Sequence, residues 1–216
     1  MARFTNQAQL RYGNAVANSN IAVGEILEVL SATKTAVRTT YGQNDHITYV
    51  ISIVNSGNIA MTGLTLSDDL GAYAFGTGTV VPLTYVADTV RYYTNGVLQA
   101  APAVNAGPPF TINGISVPAG GNATVGYEAA LNEFAPLAAE STIGNTVTVS
   151  GGGITPVTAQ ESITAQSGPQ LTITKSVSPV PVTENGALTY TFLIQNTGNT
   201  AATPATGVVV TDTFDP

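Results

Sequence analysis

Apolar and polar residues alternate along most of this chain, in short runs separated by turn residues. In the run at residues 46–54, Ile47, Tyr49, Ile51 and Ile53 occupy every second position, which places all four on one face of a β-strand. One short helical turn is expected at residues 132–138. Many short strands with regularly spaced turns are typical of an all-β sandwich. Between residues 30 and 165 the predicted strands are residues 30–37, 46–54, 63–67, 79–86, 89–94, 97–101, 110–117, 122–131, 143–150 and 157–165.

The pattern of residues 30–70 returns in residues 171–214, so the chain contains an internal repeat with a period of about 140 residues. In this alignment Lys34 corresponds to Lys175. One period has the size of a complete domain, and the chain of 216 residues therefore holds roughly one and a half units.

The repeat divides the chain into three parts. Residues 30–168 are predicted to form a complete Ig-like β-sandwich, and residues 169–216 the first three strands of a second, incomplete one. Residues 1–29 are predicted to form an N-terminal hairpin extension. Three strands with an open apolar face are not a stable domain, so the second unit needs further chain, a partner, or both. We expect the natural chain to continue beyond Pro216.

The N-terminal hairpin resembles the last hairpin of the repeat. Residues 4–26 and residues 145–165 each contain two alternating strands joined by a Gly-containing turn, with Gly13 near the turn of the first. Asn6 aligns with Asn145. The N-terminal segment is therefore interpreted as a separate copy of the last hairpin of a unit, displaced to the front of the chain.

The composition disfavours several classes of function. Charged residues make up 9% of the chain and the net charge is −7, which disfavours nucleic acid as a partner. No run of about 20 apolar residues occurs, so no membrane span is predicted. The chain has no cysteine, which rules out disulfides and thiolate sites. Without a catalytic, cofactor-binding or metal-binding motif, no enzyme activity, cofactor or metal site is expected.

Both copies of the repeat share a series of short motifs: a Lys before a turn, a Gly before a Leu/Ile-Thr-Tyr strand, Asn-x-Gly-Asn, and an Asp after an apolar strand. The motif NTVTV at residues 145–149 closes the unit. This series resembles the bacterial cell-surface conserved-repeat domain, an Ig-like domain of unknown function (family eleven), over most of residues 30–214. The first copy departs from it, because no proline follows Lys34 and Asp69 lies beside Asp68. The resemblance implies a β-sandwich stalk or fibre module on a prokaryotic surface, usually in tandem, and no enzyme.

Lys34 and Lys175 are the only lysines of the chain, and they occupy equivalent positions. Lys34 is predicted to lie mid-strand, Asp68 near the end of another strand, and Asn145 at the start of the penultimate one. The first and last strands of an Ig-like sandwich are neighbours, so the amine and the amide are predicted to meet in the core. Burial favours a neutral amine, which can attack the carboxamide and release ammonia. This predicts an intramolecular Lys34–Asn145 isopeptide bond assisted by Asp68, by analogy with pilin-like domains.

An ordinary structural role for the same residues is the alternative. In one form of this alternative, Lys34 and Asp68 form an ion pair, and Asn145 completes the hydrogen bonds of that pair. In another, Lys34 extends its ammonium group to the rim of the sandwich. The sequence leaves these interpretations open.

The two incomplete parts of the chain complement each other. The C-terminal part has Lys175 and Asp212 but no matching asparagine, whereas the N-terminal hairpin has Asn6 but no sandwich. We therefore predict that residues 4–26 of one subunit complete the C-terminal sandwich of the next by strand addition to an open edge. Head-to-tail contacts of this kind do not close and so give filaments. A second isopeptide bond between Asn6 and Lys175, assisted by Asp212, is the predicted lock for each joint.

These features predict a structural subunit of a filament that is assembled from copies of one chain. The expected location is extracellular or at the cell or spore surface, although the start of the chain lacks the apolar segment of a secretory signal peptide. One alternative is a monomeric stalk segment of a longer surface adhesin. In another, the N-terminal hairpin packs on its own chain or is disordered.

Overall fold

The structure, a computed structural model, describes residues 2–26, 28–203 and 207–213. The predicted all-β fold is confirmed, because these ranges contain twenty β-strands and no helix. The strands are β1 (Ala2–Asn6), β2 (Gln9–Tyr12), β3 (Ala15–Asn18), β4 (Ala22–Ile26), β5 (Leu30–Ala36), β6 (Thr40–Tyr41), β7 (His46–Asn55), β8 (Met61–Asp68), β9 (Tyr73–Phe75), β10 (Gly78–Val80), β11 (Leu83–Tyr85), β12 (Arg91–Thr94), β13 (Val97–Leu98), β14 (Ala103–Asn105), β15 (Phe110–Val117), β16 (Asn122–Leu131), β17 (Thr142–Gly151), β18 (Val157–Ala165), β19 (Leu171–Ser178) and β20 (Thr189–Asn196).

Two six-stranded sheets between β5 and β18 form a β-sandwich. One sheet has the order β13-β12-β16-β7-β5, with β11 also paired to β16, and the other has the order β14-β15-β8-β17-β18-β6. The pairings are antiparallel, except that the short β6 runs parallel to β18. The neighbours β5, β7, β16 and β12 correspond to strands A, B, E and D of an Ig-like sandwich, and β18, β17 and β8 to strands G, F and C. The predicted Ig-like arrangement is therefore confirmed.

The core lies between the two sheets and is built from alternate residues. Ile47, Tyr49, Ile51 and Ile53 of β7 are fully buried, as their period of two predicts. Burial of apolar surface contributes roughly 25 cal/mol for each Å² removed from water, which makes this layer the main stabilising element. The other sheet contributes buried residues that include Leu64, Leu66, Phe110, Ile112, Val147 and Val149.

The observed elements differ from the sequence prediction in a few places. The predicted strand at residues 79–86 is divided between β10 and β11, with Pro82, which has no N–H to donate, lying in the gap. The alternation does not predict β6, β9 and β14, because strands of two or three residues are too short to show a period. Residues 132–138 form turns and not the predicted helical turn. There, the Asn132 side chain accepts a hydrogen bond from the backbone two residues on (2.9 Å), and Pro136 cannot donate one.

Residues 2–26 form a hairpin, as their sequence pattern predicts. Strand β1 pairs with β4 and β2 pairs with β3, with Gly13 in the turn at a φ of 57°. Apolar side chains of the hairpin are exposed, including Phe4 and Leu10 at 55% and 68%. The Phe4 ring packs over Gly24, where a larger side chain would collide with it. An exposed apolar hairpin of this kind is suited to packing against another element.

The second copy of the repeat forms the hairpin β19–β20, and it reproduces a corner of the first copy. In the first copy the amide nitrogen of Asn55 donates to the carbonyl oxygen of Ile59 at 2.8 Å. In the second copy Asn196 makes the equivalent bond to Thr200 at 2.7 Å. The internal repeat is therefore a structural repeat and not only a similarity of sequence.

The third predicted strand of the second copy is not formed in the part of the chain that the structure describes. Residues 207–213 adopt no strand, and residues 204–206 and 214–216 lie outside the described ranges. In the first copy the equivalent strand, β8, is held between β15 and β17. Neither neighbour has a counterpart among the described residues of the second copy, so the sheet that would face β19 and β20 is not formed there.

Candidate functional site

The three residues of the predicted intramolecular site lie in the core, on both sheets. Lys34 is on β5 in one sheet, whereas Asp68, at the end of β8, and Asn145, on β17, belong to the other. They are 3%, 1% and 0% exposed. Alternation explains this placement, since Asn145 shares its face of β17 with the buried Val147. Burial of a polar or charged group is costly unless the group is hydrogen-bonded or paired with an opposite charge.

Lys34 and Asp68 form a direct pair across the sandwich. The Lys34 ammonium nitrogen donates to Oδ2 of Asp68 at 2.6 Å. The same nitrogen lies 4.8 Å from the centre of the Tyr49 ring and 5.8 Å from that of Tyr127. Since its side chain is fully buried, Lys34 does not extend to the rim of the sandwich, which removes one of the alternative interpretations.

A tyrosine that the sequence pattern did not single out connects Asp68 to Asn145. The Tyr127 hydroxyl donates to Oδ2 of Asp68 at 2.7 Å and accepts a hydrogen bond from the Asn145 amide nitrogen at 3.1 Å. Tyr127 lies opposite Tyr49 in the β16–β7 register, and the two rings stack at 5.5 Å between centres. The sequence does contain one indication of this contact, because Tyr127 lies among small and apolar inward-facing residues of β16. A buried tyrosine hydroxyl needs a polar partner.

Two polar atoms in this region have no hydrogen-bond partner in the part of the chain that the structure describes. They are the Tyr49 hydroxyl and Oδ1 of Asn145. Asn145 nevertheless makes one side-chain hydrogen bond, which its amide nitrogen donates to the Tyr127 hydroxyl. We refer to Lys34, Asp68, Tyr127 and Asn145 together as the Lys34 site.

Asp69 fixes the relative position of the two strands that carry Asp68 and Asn145. Its Oδ1 accepts a hydrogen bond from the Thr146 N–H at 2.9 Å, and its own N–H donates to the Thr146 carbonyl at 3.0 Å. Oδ1 of Asp68 accepts from the Leu70 N–H at 3.0 Å. The residues that follow Asp68 therefore hold both its carboxylate and the neighbouring strand in place.

Burial sets the protonation of the Lys34 site. Desolvation lowers the pKa of Lys34, and the carboxylates of Asp68, Asp69 and Glu161 offset this only in part. Desolvation and the adjacent Asp68 raise the pKa of Tyr127 well above its usual value. Burial thus makes Lys34 easier to deprotonate than an exposed lysine, beside a hydroxyl that keeps its proton, and both changes favour a nucleophilic amine.

The second copy contains counterparts of Lys34, Asp68 and Tyr49, here called the Lys175 half-site (Lys175, Asp212 and Tyr190). The Lys175 ammonium nitrogen donates to Oδ1 of Asp212 at 2.6 Å and lies 4.4 Å from the centre of the Tyr190 ring. Both charged side chains are about two-fifths exposed. Within the described residues of one chain, Asn6 lies on the exposed hairpin and makes no hydrogen bond to Lys175 or Asp212.

Within the ranges that the structure describes, no group of three or more His, Asp or Glu side chains is placed to hold a metal ion. The same ranges contain no helix long and apolar enough to cross a membrane.

Comparisons with known proteins give likenesses of fold. No protein-family model matches the chain, and no curated protein matches it either. The major pilin subunit BcpA of Bacillus cereus is 9% identical over 90% of this chain and 63% of that one, with a TM-score of 0.47. The pilus backbone protein RrgB of Streptococcus pneumoniae is 14% identical over 56% of this chain and 31% of that one, with a TM-score of 0.44.

Other solved structures at this level differ in function. The collagen-binding domain of a Staphylococcus aureus adhesin is 11% identical over 65% of this chain and 99% of that one, with a TM-score of 0.38. AvmM, which catalyses macrocyclization in alchivemycin A biosynthesis, is 14% identical over 67% of this chain and 92% of that one, also with a TM-score of 0.38. The chain spans about a third of the RrgB structure and just under two thirds of the BcpA structure. Likeness at this level does not establish a shared function.

Proposed function

We propose that this protein is a structural subunit of an extracellular surface filament, in which each N-terminal hairpin completes the second sandwich of the next subunit. The observation that carries the proposal is the Lys175 half-site, which has counterparts of Lys34, Asp68 and Tyr49 in a second copy whose described residues lack the opposite sheet. The same chain carries an exposed apolar hairpin with an asparagine at the matching position. Membership of the conserved-repeat domain family is part of this proposal.

The complete sandwich supplies the register for the donated hairpin. In it, β17 pairs with β8 so that Val147 lies opposite Asp68, two residues after Asn145. With Asn6 in the place of Asn145, the residue opposite Asp212 is Ala8. The side chains that face inward are then every second residue of the first strand of the hairpin, namely Phe4, Asn6, Ala8 and Leu10. This face covers the open apolar side of the second copy and brings Asn6 to Lys175.

Covalent bonds complete the proposal. Lys34 and Asn145 form an amide within the first sandwich, and Lys175 and Asn6 form the equivalent amide between subunits. The first bond closes a loop of about 110 residues, which stabilises the domain by roughly 4 to 5 kcal/mol if its effect follows the loop-entropy relation for disulfides. The chain has no cysteine, so these bonds would take the place of disulfide cross-links.

A filament subunit of this kind is expected to be lighter than its sequence by the mass of one ammonia molecule, lost when Lys34 joins Asn145. The reaction needs the single proton that Lys34 and Asp68 share, because Lys34 must lose it to attack and the departing nitrogen must receive it. Burial lowers the pKa of Lys34 below its ordinary value of 10.5, so the rate should be constant at lower pH and should fall once Lys34 loses this proton to solvent, while Tyr127 still holds its own proton. Intact mass after refolding from urea, followed over time at several pH values, measures both effects. An unchanged mass at every pH would contradict the intramolecular bond.

Engineered cysteines are expected to report the register of the donated hairpin. In the complete sandwich Thr148 lies opposite Ser67, and the corresponding residues of the proposed joint are Gln9 and Thr211. The double variant Gln9→Cys with Thr211→Cys should therefore give multimers linked by disulfides. The matched control pairs Gln9→Cys with Val209→Cys. It is displaced by two residues, or about 7 Å, which is beyond the reach of a disulfide.

The chain has no cysteine of its own, so any disulfide in this experiment comes from the introduced pair. The products are read on a non-reducing SDS gel, with Asn6→Ala in both variants to prevent the proposed isopeptide ladder. Equal cross-linking of the matched and displaced pairs would contradict the register. Absence of cross-linking from both, with the protein monomeric in solution, would favour a stalk segment over a filament subunit.

A further inference from the structure

We infer that Tyr127 is the group that delivers a proton to the departing nitrogen of Asn145 when the Lys34–Asn145 bond forms. This inference rests on the proposed cross-link and assigns a role that neither the repeat nor its motifs indicated. It is carried by one continuous path of hydrogen bonds, from Asp68 through the Tyr127 hydroxyl to the Asn145 amide nitrogen, with steps of 2.7 and 3.1 Å.

The hydrogen bonds of Asp68 explain why a relay is needed. Its Oδ1 accepts from the Leu70 N–H, and its Oδ2 accepts from Lys34 and from Tyr127. Among the described residues, no hydrogen bond joins Asp68 to Asn145 directly. The amide nitrogen of Asn145 instead has the Tyr127 hydroxyl as its partner. Along these hydrogen bonds, a proton on Asp68 reaches the leaving group through that hydroxyl.

The reaction balances without any further reactant. A proton first passes from the Lys34 ammonium group to Asp68, which leaves a neutral amine and a carboxylic acid. The amine nitrogen attacks Cγ of Asn145, and the bond from Cγ to Nδ2 then breaks. As it breaks, Nδ2 takes the hydroxyl proton of Tyr127, and Tyr127 takes the proton of Asp68. Asp68 recovers a proton from the attacking nitrogen, and ammonia leaves.

The packing around Tyr127 supports this role. Its ring is held between Tyr49 and Phe110, with centres at 5.5 and 4.9 Å, so the hydroxyl has a fixed position between the two polar groups. Tyr127 is 1% exposed, so bulk water does not compete with its hydroxyl as a proton carrier. Both properties are those expected of a proton donor that acts in a closed site.

The test compares Tyr127→Phe with Tyr92→Phe in the full chain. Tyr92 is a matched control, because its buried hydroxyl also makes two hydrogen bonds, donating to the Ser116 carbonyl at 2.6 Å and accepting from the Ser116 N–H at 2.9 Å. Each protein is recovered unfolded in urea and diluted to start folding. Circular dichroism follows the fold, and intact mass follows the loss of ammonia.

Tyr127→Phe is expected to fold like Tyr92→Phe but to lose ammonia at least about 100-fold more slowly, the lower range for a lost general acid–base group. Equal rates in the two variants would overturn the inference while leaving the cross-link standing. A wild-type protein that loses no ammonia would overturn both. Filament formation in that case is still decided separately by the cysteine pairs.

A second pair of variants keeps the inference testable if Tyr127→Phe does not fold. p-Aminophenylalanine and p-methylphenylalanine, inserted at position 127, each fill nearly the volume of tyrosine. Only the amino group both accepts and donates a proton, so the amino variant should form the bond measurably faster than the methyl variant. Equal rates in this pair would show that the position needs only the shape of tyrosine, and would overturn the proposed relay.

Discussion

Asp68→Ala is expected to prevent the Lys34–Asn145 bond and to lower the free energy of unfolding of the first sandwich by several kcal/mol. Loss of the cross-link accounts for about 4 to 5 kcal/mol on the loop-entropy relation. The substitution also leaves the fully buried Lys34 without its partner at 2.6 Å, and breaking a buried pair costs about 3 to 5 kcal/mol. Urea unfolding and intact mass measure the two effects on one sample.

Two controls separate these contributions. Asn145→Ala removes the cross-link but keeps the Lys34–Asp68 pair, so it should destabilise the domain less than Asp68→Ala does. Asp212→Ala changes the equivalent aspartate of the Lys175 half-site, and it should leave the intramolecular mass loss unchanged. An Asp68→Ala protein that still loses one ammonia at the wild-type rate would refute the assigned role of the carboxylate.

Deletion of residues 1–26 is expected to abolish filaments and leave a folded monomer. In the proposed filament, the deleted hairpin supplies the strands that complete the second copy of the next subunit. The first sandwich does not include this hairpin, so the truncated protein should still lose one ammonia. Light scattering and electron microscopy measure assembly, and intact mass checks the first sandwich. Filaments that persist without the hairpin would exclude it as the donor.

Asn6→Ala is the matched control for this deletion. It keeps the apolar residues of the hairpin, including Phe4 and Leu10, and removes only the amide that would join Lys175. Its filaments should form but should dissociate in SDS, whereas wild-type filaments should give a ladder of multimers that survives boiling. A ladder of unchanged intensity from Asn6→Ala would show that another group makes the covalent joint.

The fold was predictable from the sequence because burial follows the strand period. Alternation in residues 46–54 and 122–131 identified the two longest strands of one sheet, and their inward residues are buried in the structure. The edges were less predictable, because β6 and β9 are too short to carry a period. Their existence depends on pairing with distant strands, as β6 does with β18.

The residues of the candidate site were only partly accessible from the sequence. Lys34, Asp68 and Asn145 stood out because lysine is rare in this chain and because the repeat placed Lys34 and Lys175, and Asp68 and Asp212, in register. Tyr127 did not stand out, since tyrosine in a buried strand is ordinary and the repeat offers no second copy of it. Its hydroxyl belongs to the site because it donates to the carboxylate of Asp68, a residue 59 positions away in the chain.

The sequence by itself determined that the chain is all-β, that it contains a repeat, and which charged residues occupy equivalent positions. These properties are local or periodic, so they can be recognised from the linear order of the residues alone. Only the tertiary structure decided that Lys34 is fully buried against Asp68, and that Tyr127 stands between Asp68 and Asn145. The reason is that these contacts join strands of opposite sheets, and their geometry depends on how the two sheets pack and not on the spacing of residues along either strand.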